Sequence, residues 1–183
     1  MKQKNLKGKC VILGVTGSIA AYKSCLVITG LKKHGADVIA VMTENSKKFI
    51  TSFTLQNLSQ NKVVEGLFDL NYTPTVEHIS LADRADAVLV VPATANVIGK
   101  LACGIADDML TCICLATNAP KIVCPAMNVN MYKNAIVQEN IAKLKGRGYH
   151  FVEPTIGRLA SGIKGKGRLA DIDTIIKEVL RIL

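Results

Sequence analysis

Short, unbroken apolar runs, each ended at once by small or turn-forming residues, set the tightest limit on how this chain folds. Residues 11–15, 87–91 and 121–124 are too short for buried helices and lack the alternating polar positions of a half-exposed strand. A strand that is apolar on both sides is buried on both faces, which is the pattern of a parallel sheet covered by helices. Residues 37–42 and 149–152 read as further strands, and residues 63–64 as a weak one. Between them, residues 19–34, 96–104, 109–116 and 136–145 suit helices, the first closed by Gly35. Residues 46–49 and 54–58 suit shorter helices, and a helical turn starts within 77–84. The last helix, residues 172–183, puts Ile172, Ile175, Ile176, Val179, Leu180 and Leu183 on one face behind an Asp171 N-cap. Strands alternating with helices predict an α/β fold: one domain, a doubly wound parallel sheet of Rossmann or flavodoxin type, with helices on both faces.

Composition narrows the function. At 183 residues the chain can bury a sizeable core as a single domain over residues 1–183. Aromatic residues make up 4% with no Trp, which argues against a stacking platform for bases, so no nucleic-acid partner is expected. The net charge of +9 is spread over helices and termini and favours an anionic small ligand. The six cysteines lie mostly in apolar runs, and Cys112 and Cys114 are too close for metal spacing. No metal is expected, and reduced core thiols suit a cytoplasmic protein. The basic start before residues 10–15 imitates a signal peptide, but Gly14 and Gly17 interrupt the run, which reads as a first strand. No stretch approaches the roughly 18 apolar residues of a membrane span.

Three distant stretches, residues 92–96, 125–128 and 157–168, read as one site, and a turn after the first strand adds to them. Gly14-Val-Thr-Gly17-Ser18 follows the first strand and opens a helix, where backbone N–H groups and the Ser18 hydroxyl suit an anion. It lacks the middle glycine of the dinucleotide fingerprint and any following Gly-Lys-Ser/Thr, so a mononucleotide is favoured. Pro92-Ala-Thr-Ala-Asn96 and Pro125-Ala-Met-Asn128 follow the next strands, at the sheet edge where open α/β sheets bind ligands. Residues 157–167 hold four glycines and two lysines and read as a mobile flap within about residues 155–169. Taken singly, each motif also has a plain structural reading: a tight turn, a helix entry, a turn-forming Asn.

In order along the chain, these motifs resemble the homo-oligomeric flavin-containing cysteine decarboxylases. The resemblance runs from about Lys9 to Leu183. It is carried by Gly17-Ser-Ile-Ala20, His78-Ile-Ser-Leu-Ala82, Pro92-Ala-Thr-Ala-Asn96, Pro125-Ala-Met-Asn128, and Gly157-Arg-Leu-Ala-Ser-Gly162 through Gly165-Lys-Gly-Arg168. It implies FMN, with the phosphate at Gly17, Ser18 and Ile19 and with Thr43 and Ser46 nearby. It places Thr94, Ala95, Asn96 and Val97 at the isoalloxazine edge and Met127 beside the flavin. It puts the catalytic histidine at His78, and the substrate's carboxylate at Asn128. Flap residues Arg158, Leu159, Ala160 and Arg168 would contact a phosphorylated cysteine-amide substrate. The family builds its site between subunits, which implies a trimer or a dodecamer of trimers.

The coenzyme A branch fits the Pro125–Asn128 form and the Gly167-Arg168 flap ending best. It implies oxidation of the cysteine moiety of 4′-phospho-N-pantothenoylcysteine, loss of CO2, and reduction back to 4′-phosphopantetheine. The family's flap cysteine is Ser161 here. A thiol of pKa about 8.5 is a usable proton donor near neutrality and an alkanol is far weaker, so the reductive half is expected to stall. Three readings stay open: an engineered substitution, a natural variant with another donor, or the lantibiotic-type peptidyl-cysteine branch, which stops at the enethiol. Asp107-Asp108 also stands where the family often has Asn-Asp. Rival readings are a flavin prenyltransferase, which needs no His78–Asn128 pair, an FMN-binding regulatory subunit, and a domain of a longer chain fused to the synthetase that makes the substrate.

Overall fold

In the computed structural model, which describes residues 5–67, 77–160 and 162–183, the apolar runs become β1 (Cys10–Val15), β2 (Asp37–Met42), β3 (Ala87–Ala93), β4 (Lys121–Pro125) and β5 (His150–Phe151). Every pairing in this sheet is parallel, in the order β2-β1-β3-β4-β5. The helices are α1 (Ser24–Lys33), α2 (Ser52–Ser59), α3 (Glu77–Arg84), α4 (Ala95–Cys103), α5 (Met109–Ala116), α6 (Val129–Lys133), α7 (Ala135–Gly146) and α8 (Ile172–Ile182).

The strand pleat explains the two-sided burial. Val11, Leu13, Val15, Leu89, Val91 and Ile122 point into one core, shared with α1 and α8. Ile12, Ile39, Val88, Val90 and Val123 point into the other, shared with α4, α5 and α7. Gly14 belongs to the second face: a Cβ there would come within 2.8 Å of Leu110 Cδ2. The missing side chain lets α5 lie close against β1.

The differences from the sequence reading have local causes. Residues 19–34 do not form one helix. A 3-10 turn, Ile19–Lys23, precedes α1, and Ser24 is buried with its hydroxyl donating to Val91 O at 2.8 Å. β3 runs on through Pro92, whose preceding peptide bond is cis, to Ala93. Val64 joins the sheet only as a single bridge to Val41. The flap, read from the sequence without strands of its own, is an antiparallel hairpin of β6 (Thr155–Arg158) and β7 (Lys164–Arg168); its run of Gly, Lys and Arg hides the strand period. Asp171 sits at the N-cap of α8, but its backbone carbonyl, not its carboxylate, accepts from Thr174 N.

Gly14→Val overpacks the β1–α5 contact and is expected to lower stability by about 1–3 kcal/mol. Chemical denaturation checks this, and Leu110→Ala in the same chain should recover part of the loss.

Candidate functional site

The strand order reverses direction at β1 and β3, since the chain runs from β1 out to β2 and then crosses back to β3. At such a switch point the loops after the two strands part, and a crevice opens at their carboxyl ends. Here a buried Thr16 hydroxyl ties the two loops: it donates to Pro92 O at 2.6 Å and accepts from Thr94 N at 3.2 Å. Thr94 in turn caps α4, its hydroxyl accepting from Val97 N at 3.3 Å. On the other side of the turn, Gly17 packs on the loop after β2, where a Cβ would stand 2.6 Å from Asn45 Cβ. That loop is closed by Thr43 and Ser46. Thr43 N donates to Val15 O at 3.1 Å, and the buried Ser46 hydroxyl donates to Thr43 O at 2.6 Å.

A cavity of about 370 Å³ opens beside this junction. Ser18, Ile19 and Lys23 line it from the turn after β1, Met127 and Asn128 from the loop after β4, and Arg158, Leu159, Ala160 and Arg168 from the flap. Its volume falls within the usual range for small-ligand sites. The Ser18 hydroxyl caps the 3-10 turn by accepting from Ala20 N at 3.3 Å. Asn128 caps α6, its Oδ1 accepting from Asn130 N at 2.8 Å. With the oxygen so engaged, the amide nitrogen is the group Asn128 can offer a ligand, and it is a donor suited to a carboxylate. Lys23, Arg158 and Arg168 make the lining cationic. Burial, with the charge of Arg168 adding to it, holds the Lys23 ammonium below its ordinary range.

The flap is seated on this loop. Met127 N donates to Gly167 O at 3.0 Å. Gly167 has φ +155, and a Cβ there would collide with Met127 O, so only glycine lets the two backbones approach this closely. Glu153 lies just before the hairpin. Burial alone would raise its pKa, but hydrogen bonds from Lys145, Tyr132 and Lys166 outweigh it and pull the carboxyl down to about 2. A depressed folded pKa gives stability that is present above the unfolded carboxylate value and lost as pH falls through the folded one. Glu153→Gln is therefore expected to melt below the unsubstituted chain at pH 6. The gap should close as pH falls from about 4.5 toward about 2, measured by thermal melts across that window.

Of the residues singled out in the sequence, Ser18, Ile19, Met127, Asn128, Arg158, Leu159, Ala160 and Arg168 meet around the cavity. Gly17, Thr43 and Ser46 shape the turn after β1 and the loop after β2, and Thr94, Ala95, Asn96 and Val97 form the N-cap and first turn of α4; none of these seven lines the cavity. His78 stands apart from this lining, partly buried in the first turn of α3, whose apolar side packs on the α5 face of the sheet. Ser161 lies outside the described residues. Sequence reasoning missed Thr16 and Lys23. Lys23 falls five residues after Ser18, a spacing that carries it back to the cavity. Among the described residues the cavity lining contains no cysteine. Burial pushes the thiols of Cys10 to about 11 and Cys114 to about 12, so these are packing groups. No helix among the described residues is long and apolar enough to cross a membrane.

The family model described as Flavoprotein matches residues 1–183. Over 174 residues the chain is 47% identical to the coenzyme A biosynthesis bifunctional protein CoaBC of Borreliella burgdorferi, covering 95% of this chain and 44% of that protein. The chain thus spans less than half the length of that relative. It is 44% identical to a probable phosphopantothenoylcysteine decarboxylase of Streptococcus mutans, over 93% of this chain and 97% of that one. Among solved structures, a PPC decarboxylase mutant complexed with pantothenoylaminoethenethiol superposes with a TM-score of 0.82 at 32% identity, covering 93% of this chain and 96% of the other.

Proposed function

The chain belongs to the Flavoprotein family, and from that premise we propose that it is an FMN-dependent carboxy-lyase acting on 4′-phospho-N-pantothenoylcysteine in coenzyme A biosynthesis. The observation that carries this reading is the convergence of the Ser18 turn, the Met127–Asn128 loop and a cationic flap on one cavity at the carboxyl edge of the sheet. The residues fit FMN. The strand order is the one that places a flavin at the β1/β3 junction in flavodoxin-type sheets. Gly17 keeps the turn slim, and Ser18 and Lys23 offer a hydroxyl and a cation to a phosphate. When bound, FMN supplies reversible hydride transfer.

The chain's own residues do the rest. The Asn128 amide nitrogen holds the substrate carboxylate and orients the bond that breaks. Arg158 and Arg168 fold over the substrate and pair with its anionic end; charge-assisted bonds of this kind are the strong ones. His78 takes the proton from the substrate thiol. With FMN bound, the sulfur-bearing carbon would be oxidised to the thioaldehyde level, and its C=S would accept the electron pair as CO2 leaves from the adjacent carbon. In the sequence Ser161 stands at the family's flap-cysteine position, and the weak acidity of a hydroxyl slows the return to 4′-phosphopantetheine. The two flap arginines favour a phosphorylated substrate over the carboxyl end of a peptide. A synthetase activity, fused or separate, supplies that substrate in the cytoplasm.

His78 lies outside the cavity of its own chain, so it serves the cavity of a neighbouring copy in a trimer. Such a heterologous ring predicts complementation. His78→Asn and Asn128→Asp chains should each be inactive alone, and random mixing on co-expression should rebuild about a quarter of the sites. Activity assays on the mixed protein check this. No recovery from folded, FMN-loaded mixtures contradicts the shared site.

A further inference from the structure

One carboxylate is shared by three elements, of which α6 and β7 border the cavity. Glu153 Oε2 accepts from Tyr132 Oη of α6 at 2.6 Å and from Lys166 Nζ of β7 at 2.9 Å. Its Oε1 accepts from Lys145 Nζ of α7 at 2.8 Å. Lys166 also stands over the Tyr132 ring, 5.4 Å from its centroid. The residues flanking Lys166 rest on the same stretch. At Gly165 a Cβ would come within 2.7 Å of Val129 Cγ2, and Gly167 O accepts from Met127 N. Three consecutive flap residues therefore bear on residues 127–132, the segment that presents Asn128.

We propose that Glu153 is a positioning residue for the substrate: it fixes the span between Asn128 and Arg168 by holding α6 through Tyr132 and the flap through Lys166. Partly exposed ion pairs contribute little to global stability. The convergence here differs, because Tyr132 is buried and its hydroxyl ends on the same oxygen as the flap lysine. α6 is a five-residue helix and gains little rigidity of its own. The flap hairpin has two strands, which are marginal alone. Each wall is weak by itself, and the carboxylate gives them a common anchor. The geometry stands without the decarboxylase reading, and only the substrate effect rests on it.

The test compares the full, FMN-loaded chain with Glu153→Gln and with Lys166→Met. Hydrogen exchange is followed at the Met127 amide, which is bonded to the flap, and at the Val152 amide, which is bonded to Val123 O in the sheet. Both variants should speed Met127 exchange about fivefold or more and Val152 exchange far less, as expected for a local opening on top of a modest global loss. Both should raise KM for 4′-phospho-N-pantothenoylcysteine by a similar factor and change kcat by less than about twofold, the signature of lost binding with the chemistry intact. Unchanged Met127 exchange in either variant overturns the proposal, as does equal acceleration at Val152. An unsubstituted chain that neither bleaches its flavin nor releases CO2 from the substrate refutes the decarboxylase reading, while the exchange result still decides the anchor.

Discussion

A single buried hydroxyl sets the geometry on which the site depends. Thr16 joins the loop after β1 to the loop after β3 by donating to Pro92 O and accepting from Thr94 N. In a parallel sheet these loops would otherwise splay, because the chain leaves β1 and β3 toward opposite sides of the crevice. With the hydroxyl in place, the Gly17–Ser18 turn and the capped start of α4 keep a fixed separation. Ser24 adds a second tie, from the start of α1 to Val91 O. Both ties end on the residues around Pro92, so the end of β3 is the fixed point from which the cavity is built.

The remaining walls are attached less firmly. Ala126 N donates to Ala93 O and extends the β3–β4 contact to the loop that carries Asn128. From there the flap is carried outward by backbone contacts at Gly165 and Gly167 and by the Glu153 carboxylate. A gradient results: a junction of buried, closely packed loops, then a hairpin held by charge over a cationic cavity. That division suits a resident cofactor and an exchanging substrate.

Much of this was legible in the sequence because it follows from short-range rules. Apolar runs at residues 11–15 and 87–91 gave buried parallel strands, and the small residues after them marked the binding edge. Met109–Ala116 emerges with the expected limits, since Asp108 and Thr111 form a complete capping box. What stayed hidden depends on contacts distant in sequence. Nothing local marks Thr16 as a clamp for residues 76 positions away. The split of residues 19–34 comes from the reach of Ser24 to β3. The flap strands were masked because glycine, lysine and arginine carry no apolar period; they pair because the hairpin lies on α6. Nothing local marks Glu153 either: α6, α7 and β7 converge on it only in the folded chain.

The central claim, a flavin-bearing cavity that decarboxylates a phosphorylated cysteine amide, is tested most directly by one anaerobic mixing experiment. The FMN-loaded protein is combined with 4′-phospho-N-pantothenoylcysteine while the visible flavin absorbance is followed and the product is weighed by mass spectrometry. The account predicts bleaching of the flavin together with a product that has lost CO2, and slow return of the colour because Ser161 is a weak proton donor. Flavin that stays oxidised beside intact substrate would contradict it.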